Sequence, residues 1–186
     1  ADTLSYPGVP QSTIYSVSIT QGNDTKKLVV FENACPLYQA GFENMTDNDQ
    51  YPLDLFEGRT ISWVNFSFSG TVTIEVTVLD QTKVPLGGSV KILPSRYGIT
   101  PTQQGNKITF TMTDPGQCSV EVGDNGFKNG LMIFANPPET DIPDTTSGSY
   151  KVLRNATAND VASVSDSYTG IYFKKGVHDI GVYKIP

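Results

Sequence analysis

Apolar and polar residues alternate with a period of two along much of this chain. In Thr71-Val72-Thr73-Ile74-Glu75-Val76-Thr77-Val78, the side chains of Val72, Ile74, Val76 and Val78 share one face, and the threonines with Glu75 share the other. That is the pattern of a half-buried strand. Residues 61–68 alternate in the same way, with Val64, Phe66 and Phe68 aligned, and Ser69-Gly70 is expected to join the two runs as a short hairpin or bulge. Further strands are expected over 13–19, 28–31, 90–93, 107–112, 118–122, 131–134, 150–153, 171–173 and 180–185. The run Leu131-Met132-Ile133-Phe134 is apolar on both sides, so it is expected to be an inner strand covered on both faces. Pro137 and Pro138 lack the amide hydrogen that a ladder needs and must end it.

Turn residues punctuate these runs at Gly22-Asn23-Asp24, Gly87-Gly88, Gly105-Asn106, Asp124-Asn125-Gly126 and Asn129-Gly130. A helical period is sustained nowhere; residues 159–165 are expected to make one short helical turn. Short strands about 8–12 residues apart imply an all-β fold, an antiparallel β-sandwich of about a dozen short strands. A linker-like stretch, PPETDIPDTTSGS, occupies residues 137–149. The expected organisation is a sandwich body over 1–149, then residues 150–186, either completing the sandwich or leading towards an absent β-helix domain.

Composition adds limits. A chain of 186 residues can bury a sufficient core without a metal or a disulfide framework. The formal charge of −6, with no basic run, argues against nucleic acid and anionic membranes as partners. No apolar stretch approaches the ~20 residues of a membrane span, and the opening ADTLSYPGVP reads as a mature end rather than a signal peptide. Cys35 and Cys118, the two cysteines, can form one disulfide or remain thiols. Four Asn-x-Ser/Thr sequons, at Asn23, Asn44, Asn65 and Asn155, favour a secreted, extracellular glycoprotein.

Catalytic signals are sparse. The one histidine, His178, shares a face with Ile180 and Val182 and reads as structural; no Gly-x-Ser-x-Gly elbow accompanies it. One histidine and two distant cysteines do not make a zinc site. The aspartates lie mostly in turns, the ordinary place for them. Asp47-Asn48-Asp49 and Asp124-Asn125-Gly126 hint at calcium but lack EF-hand spacing, so no metal or cofactor is expected. Trp63 is the leading binding candidate. Parity places it opposite Val64 and Phe66, where an exposed indole would stack on the apolar face of a sugar ring. Tyr97 and Tyr51, with Tyr38 behind them, are further platforms in loop-like surroundings. For each aromatic, packing under a loop or against a neighbour is the competing role.

The ordered segments "ISWVNFSFSGTVTIEVTV", "VKILPSRYGI", "NKITFTMTDPGQCSVEVG", "NGLMIFANPPET" and "YFKKGVHDIGVYKIP" resemble the N-terminal β-sandwich domain that precedes a right-handed β-helix in polysaccharide-degrading enzymes. The groups they resemble are glycoside hydrolase family 49, of the dextranase and isopullulanase type, or the family 28-like pectin-degrading enzymes. The resemblance covers roughly residues 60–186. It implies catalytic aspartates in a downstream β-helix, so no catalytic residue carries over to this chain. The implied role is a non-catalytic accessory module contacting a polysaccharide or oligosaccharide weakly. The implied partner is a β-helix catalytic domain of the same polypeptide. A purely structural brace for that helix and an adhesive cell-surface sandwich are the alternatives.

Overall fold

A computed structural model describes residues 9–34, 60–123, 128–174 and 178–181. Two compact units divide the chain between Pro138 and Glu139.

The larger unit holds ten strands: β1 (Tyr15–Gln21), β2 (Asp24–Leu28), β3 (Phe31–Ala34), β4 (Thr60–Ser67), β5 (Val72–Val78), β6 (Val90–Leu93), β7 (Thr102–Gln104), β8 (Lys107–Met112), β9 (Gly116–Val122) and β10 (Gly130–Asn136). They form two five-stranded sheets, ordered β2-β1-β5-β8-β7 and β3-β4-β10-β9-β6. Alternation decides which side of each strand faces the core. Val72, Ile74, Val76 and Val78 of β5 are fully buried, as are Ile108 of β8, Val64 of β4, Val120 of β9, and Leu131 and Ile133 of β10. These side chains and their neighbours make one continuous core between the sheets, each large one worth roughly 1.5–3 kcal/mol of transfer free energy.

The sandwich is not purely antiparallel. β10 pairs with β9 antiparallel but with β4 parallel, Ile133 lying opposite Cys118 on one side and Val64 on the other. The Ser69-Gly70 junction is likewise not a hairpin. β4 and β5 lie in different sheets, and the chain crosses between layers with Gly70 at φ +73°, where a side chain would be strained. The strand expected over 28–31 is divided: Leu28 ends β2 and Phe31 begins β3. β10 is an inner strand, but its two sides differ. Leu131, Ile133 and Ala135 are buried, whereas Met132 and Phe134 on the outer side are only partly so.

A buried polar cluster joins strands from both sheets. The Tyr15 hydroxyl donates to the Asn129 carbonyl (2.7 Å), the Thr60 hydroxyl donates to Asn129 Oδ1 (2.9 Å), and Asn129 Nδ2 donates to the Lys83 carbonyl (3.1 Å). Asn129 adopts φ +57°, a left-handed conformation that asparagine tolerates better than most residues. Burial without a charged partner raises the Tyr15 pKa.

The smaller unit pairs β11 (Tyr150–Leu153) with β12 (Gly170–Phe173) in parallel, and these strands join neither five-stranded sheet. The helix α1 (Ala158–Ala162) starts with a capping box in which Thr157 and Asp160 satisfy each other's backbone amides. Leu153, Ala156 and Val161 form its small core, with Ile171 and Ile180 packed against them. Ile180 and Gly181 are not in a strand, and the remainder of the strand expected over 180–185 lies outside the described residues.

Candidate functional site

Trp63 projects from the outer face of the second sheet and is half-buried. Its ring centroid is 4.6 Å from that of Phe31, at a 32° tilt, and its indole N–H donates to Asn33 Oδ1 at 2.7 Å. The indole is therefore packed and hydrogen-bonded on its own sheet, which leaves only part of it for stacking. Tyr51 and Tyr38 lie outside the described residues.

Tyr97 stands differently. Pro94 follows a cis peptide bond and leads into a 3-10 turn, Ser95–Tyr97, closed by Gly98 at φ +62°, whose N–H donates to the Ser95 carbonyl. That turn carries the chain from β6 in the second sheet to β7 in the first. The segment 113–115 carries it back from β8 to β9. Between the two crossings is a groove of about 710 Å³, lined by Arg96, Tyr97, Thr100, Thr111 and Asp114 among others. Tyr97 is 38% exposed. Its ring lies over Gly116, where an added Cβ would come within 2.9 Å of the hydroxyl and 3.1 Å of the ring. The missing side chain of Gly116 is thus what lets the hydroxyl end of the ring approach the start of β9. The Arg96 guanidinium sits 5.4 Å from the centre of the same ring. Asp114 accepts from the Thr113 hydroxyl at 2.9 Å. β7 pairs with only Lys107–Thr109, so the rest of β8 has β5 on one side and no described strand on the other, where it borders the groove.

An aromatic face, a guanidinium, a carboxylate and several hydroxyls in one shallow groove are groups that bind polyhydroxylated ligands by stacking and hydrogen bonding. Among the described residues that line it, the one carboxylate, Asp114, engages the neighbouring threonine. Of these residues the sequence singles out Tyr97 as a platform and offers Asp114 only as a turn carboxylate; nothing in it points to Arg96 or Thr111. These residues come from two segments that only the sheet topology brings together.

His178 has the structural role expected of it. Nδ1 accepts from the Ala156 N–H at 3.0 Å, Nε2 lies 2.6 Å from the Lys174 carbonyl, and the ring meets Phe173 edge-on. Among the described residues no three His, Cys, Asp or Glu side chains are grouped to hold a metal ion. Asp47, Asp49 and Asp124 lie outside them. Of the expected Cys35–Cys118 bridge only Cys118 is described: its thiol is buried on the core face of β9, and burial pushes its pKa up to about 11. Cys35 lies outside the described residues. Of the sequons, Asn23 is exposed in the β1–β2 turn, Asn65 on the outer face of β4, and Asn155 before α1 at φ +45°; Asn44 is not described.

Residues 4–150 match the model of one protein family, described as the glycosyl hydrolase family 49 N-terminal Ig-like domain. The chain belongs to that family. Dextranases of Arthrobacter sp. (strain CB-8) and Arthrobacter globiformis are each 24% identical over 93% of the chain. The chain spans about a third of the length of these curated relatives, 33%. Among solved structures, Dex49A from Penicillium minioluteum superposes with a TM-score of 0.64 at 19% identity, over 91% of this chain and 36% of that one. That likeness supports the sandwich fold. The family match is with the N-terminal Ig-like domain of these enzymes.

Proposed function

We propose that this chain is a non-catalytic accessory module of a secreted, carbohydrate-active protein, and that it contacts glycan in the Tyr97 groove. The observation that carries this reading is the partly exposed Tyr97 ring, packed over Gly116 in one groove with Arg96 and Asp114, in a member of a glycosidase-associated domain family. The named activity of the Arthrobacter relatives makes dextran-type α-glucan the first ligand to try. One platform offers little area beyond the cost of association, so micromolar to millimolar dissociation constants are expected, roughly −4 to −8 kcal/mol. Two-dimensional NMR of the labelled chain, titrated with isomalto-oligosaccharides, tests this. Saturable shifts confined to residues 96–102 and 109–115, lost in Tyr97→Ala, support it. No shift at tens of millimolar sugar removes it.

A second reading is that the module only braces a catalytic β-helix domain of the same polypeptide. It is favoured by the exposed ring of Phe173 on β12, 39% accessible. Full solvent protection of Phe173 in the longer protein, with no sugar response, would decide for the brace.

A further inference from the structure

We infer that Asn65 carries an asparagine-linked glycan whose first sugar lies on the aromatic outer face of the second sheet, against Trp63 and Phe134. This goes beyond the Tyr97 groove and does not depend on it.

The argument begins with period two. Trp63, Asn65 and Ser67 are alternate residues of β4, so all three project from the outer face, spaced by roughly 6.6 Å. Asn65-Phe66-Ser67 is a sequon, and its asparagine and serine are both exposed. The sequon's middle residue, Phe66, points the other way and is buried at 7%. The folded strand therefore presents to solvent the atoms that would be modified and keeps the apolar residue between them in the core.

The neighbours of Asn65 set this sequon apart. Phe134 of β10 lies directly opposite it in the parallel ladder, and Met132 lies opposite Trp63. Both are only partly buried, and Ile61, two residues before Trp63, is 52% exposed. An exposed asparagine thus stands among Trp63, Met132 and Phe134, with Gln117 and Ser119 of β9 as the polar residues on the far side of β10. The linked N-acetylglucosamine has an apolar face of C–H groups and reaches no further than these two rings. Stacking there would cover apolar area that the strand pattern leaves open to water. Asn23, in an exposed turn, has no aromatic residue so placed on β1 or β2.

Trp63 is the one tryptophan of the chain, so its fluorescence reports this face alone. The test is secretion of the 186-residue chain from a eukaryotic host, with glycopeptide mapping and acrylamide quenching of Trp63. Measurements compare the wild type, Asn65→Gln, Asn23→Gln, and the folded wild type after enzymatic glycan removal. The expected result is an occupied Asn65 and weaker quenching in wild type and Asn23→Gln. Asn65→Gln and the deglycosylated protein should quench more strongly and melt roughly 2–4 °C lower, the shift of one stacking contact in a chain of this size. Enzymatic removal guards against a folding defect in the variant. An unmodified Asn65 peptide overturns the inference, and so does an occupied Asn65 whose removal leaves Trp63 quenching unchanged.

Discussion

The two sheets of the sandwich show the same kind of surface to the core and opposite kinds to the outside. The first sheet, β2-β1-β5-β8-β7, carries a row of threonines across four strands: Thr25, Thr20, Thr73 and Thr111 are successive cross-strand neighbours. The next row contains Ser18, Glu75 and Thr109, with a Glu75–Lys107 ion pair close by at 2.9 Å. At the corresponding place the second sheet carries Phe31, Trp63 and Met132 in line before Ser119, with Phe134 one step along between Asn65 and Gln117. Burial of the inner faces drives the sandwich together, so the inner faces must match. Nothing in folding requires the outer faces to match. The first presents mainly hydroxyls and charges to water, and the second leaves aromatic and aliphatic surface partly open among polar residues. Exposed hydroxyls satisfy themselves with solvent, whereas aromatic rings on an open sheet forgo the free energy of burial.

The inner faces should give the largest effect. Ile133→Ala at the centre of β10 removes a fully buried side chain that sits opposite Cys118 and Val64. A loss of about 2–5 kcal/mol is expected, read as a lowered denaturation midpoint in urea with an unchanged slope. Alkaline pH offers a milder probe of the same interior. The Cys118 thiol stays protonated in the folded chain up to about pH 11 against an ordinary value of 9.0, and Tyr15 is shifted in the same direction. The unfolded chain therefore loses these protons first. Stability should be flat below pH 9 and fall as the pH climbs from 9 toward 11, by on the order of 2 kcal/mol from the thiol. A Cys118→Ala variant should lose that part of the slope. An equal slope in the variant would show that the thiol is solvated and the packing of β9 is other than described.

Most of the strands were legible because half-buried strands write their burial into the sequence. Residues 90–93, 107–112 and 150–153 fold as strands with the expected bounds. β7 was not legible: Thr102-Gln103-Gln104 is exposed throughout and holds its place by pairing with β8 alone. The layer crossing at Gly70 and the parallel β4–β10 pair were hidden for another reason. A strand's own residues record which face is buried but not which strand lies beside it. The same limit divides the candidate site. Tyr97 stood out as an aromatic residue in a Gly/Pro-bounded loop. Arg96 and Asp114 did not, because their proximity comes from two inter-sheet crossings 12 or more residues apart in sequence. Trp63 was read as outward-facing from parity, but its hydrogen bond to Asn33 and its contact with Phe31 depend on β3 pairing with β4.

The smallest expected effect tests the comparison most directly. Thr73→Val, in the middle of the threonine row, keeps the β-branch that suits a strand and removes only a hydroxyl on the outer face. Its cost should stay within about 0.5 kcal/mol, a change in Tm of roughly 1–2 °C. Phe134→Thr makes the opposite exchange on the second sheet and should cost more, because a partly buried ring beside Asn65 and Trp63 gives up real apolar contact. Thermal unfolding of the two variants side by side reads the difference between the faces without any ligand. If Thr73→Val cost as much as Phe134→Thr, the hydroxyl face would also be covered by something that depends on its polarity. The contrast between a hydroxyl face and a partly aromatic one would then be lost.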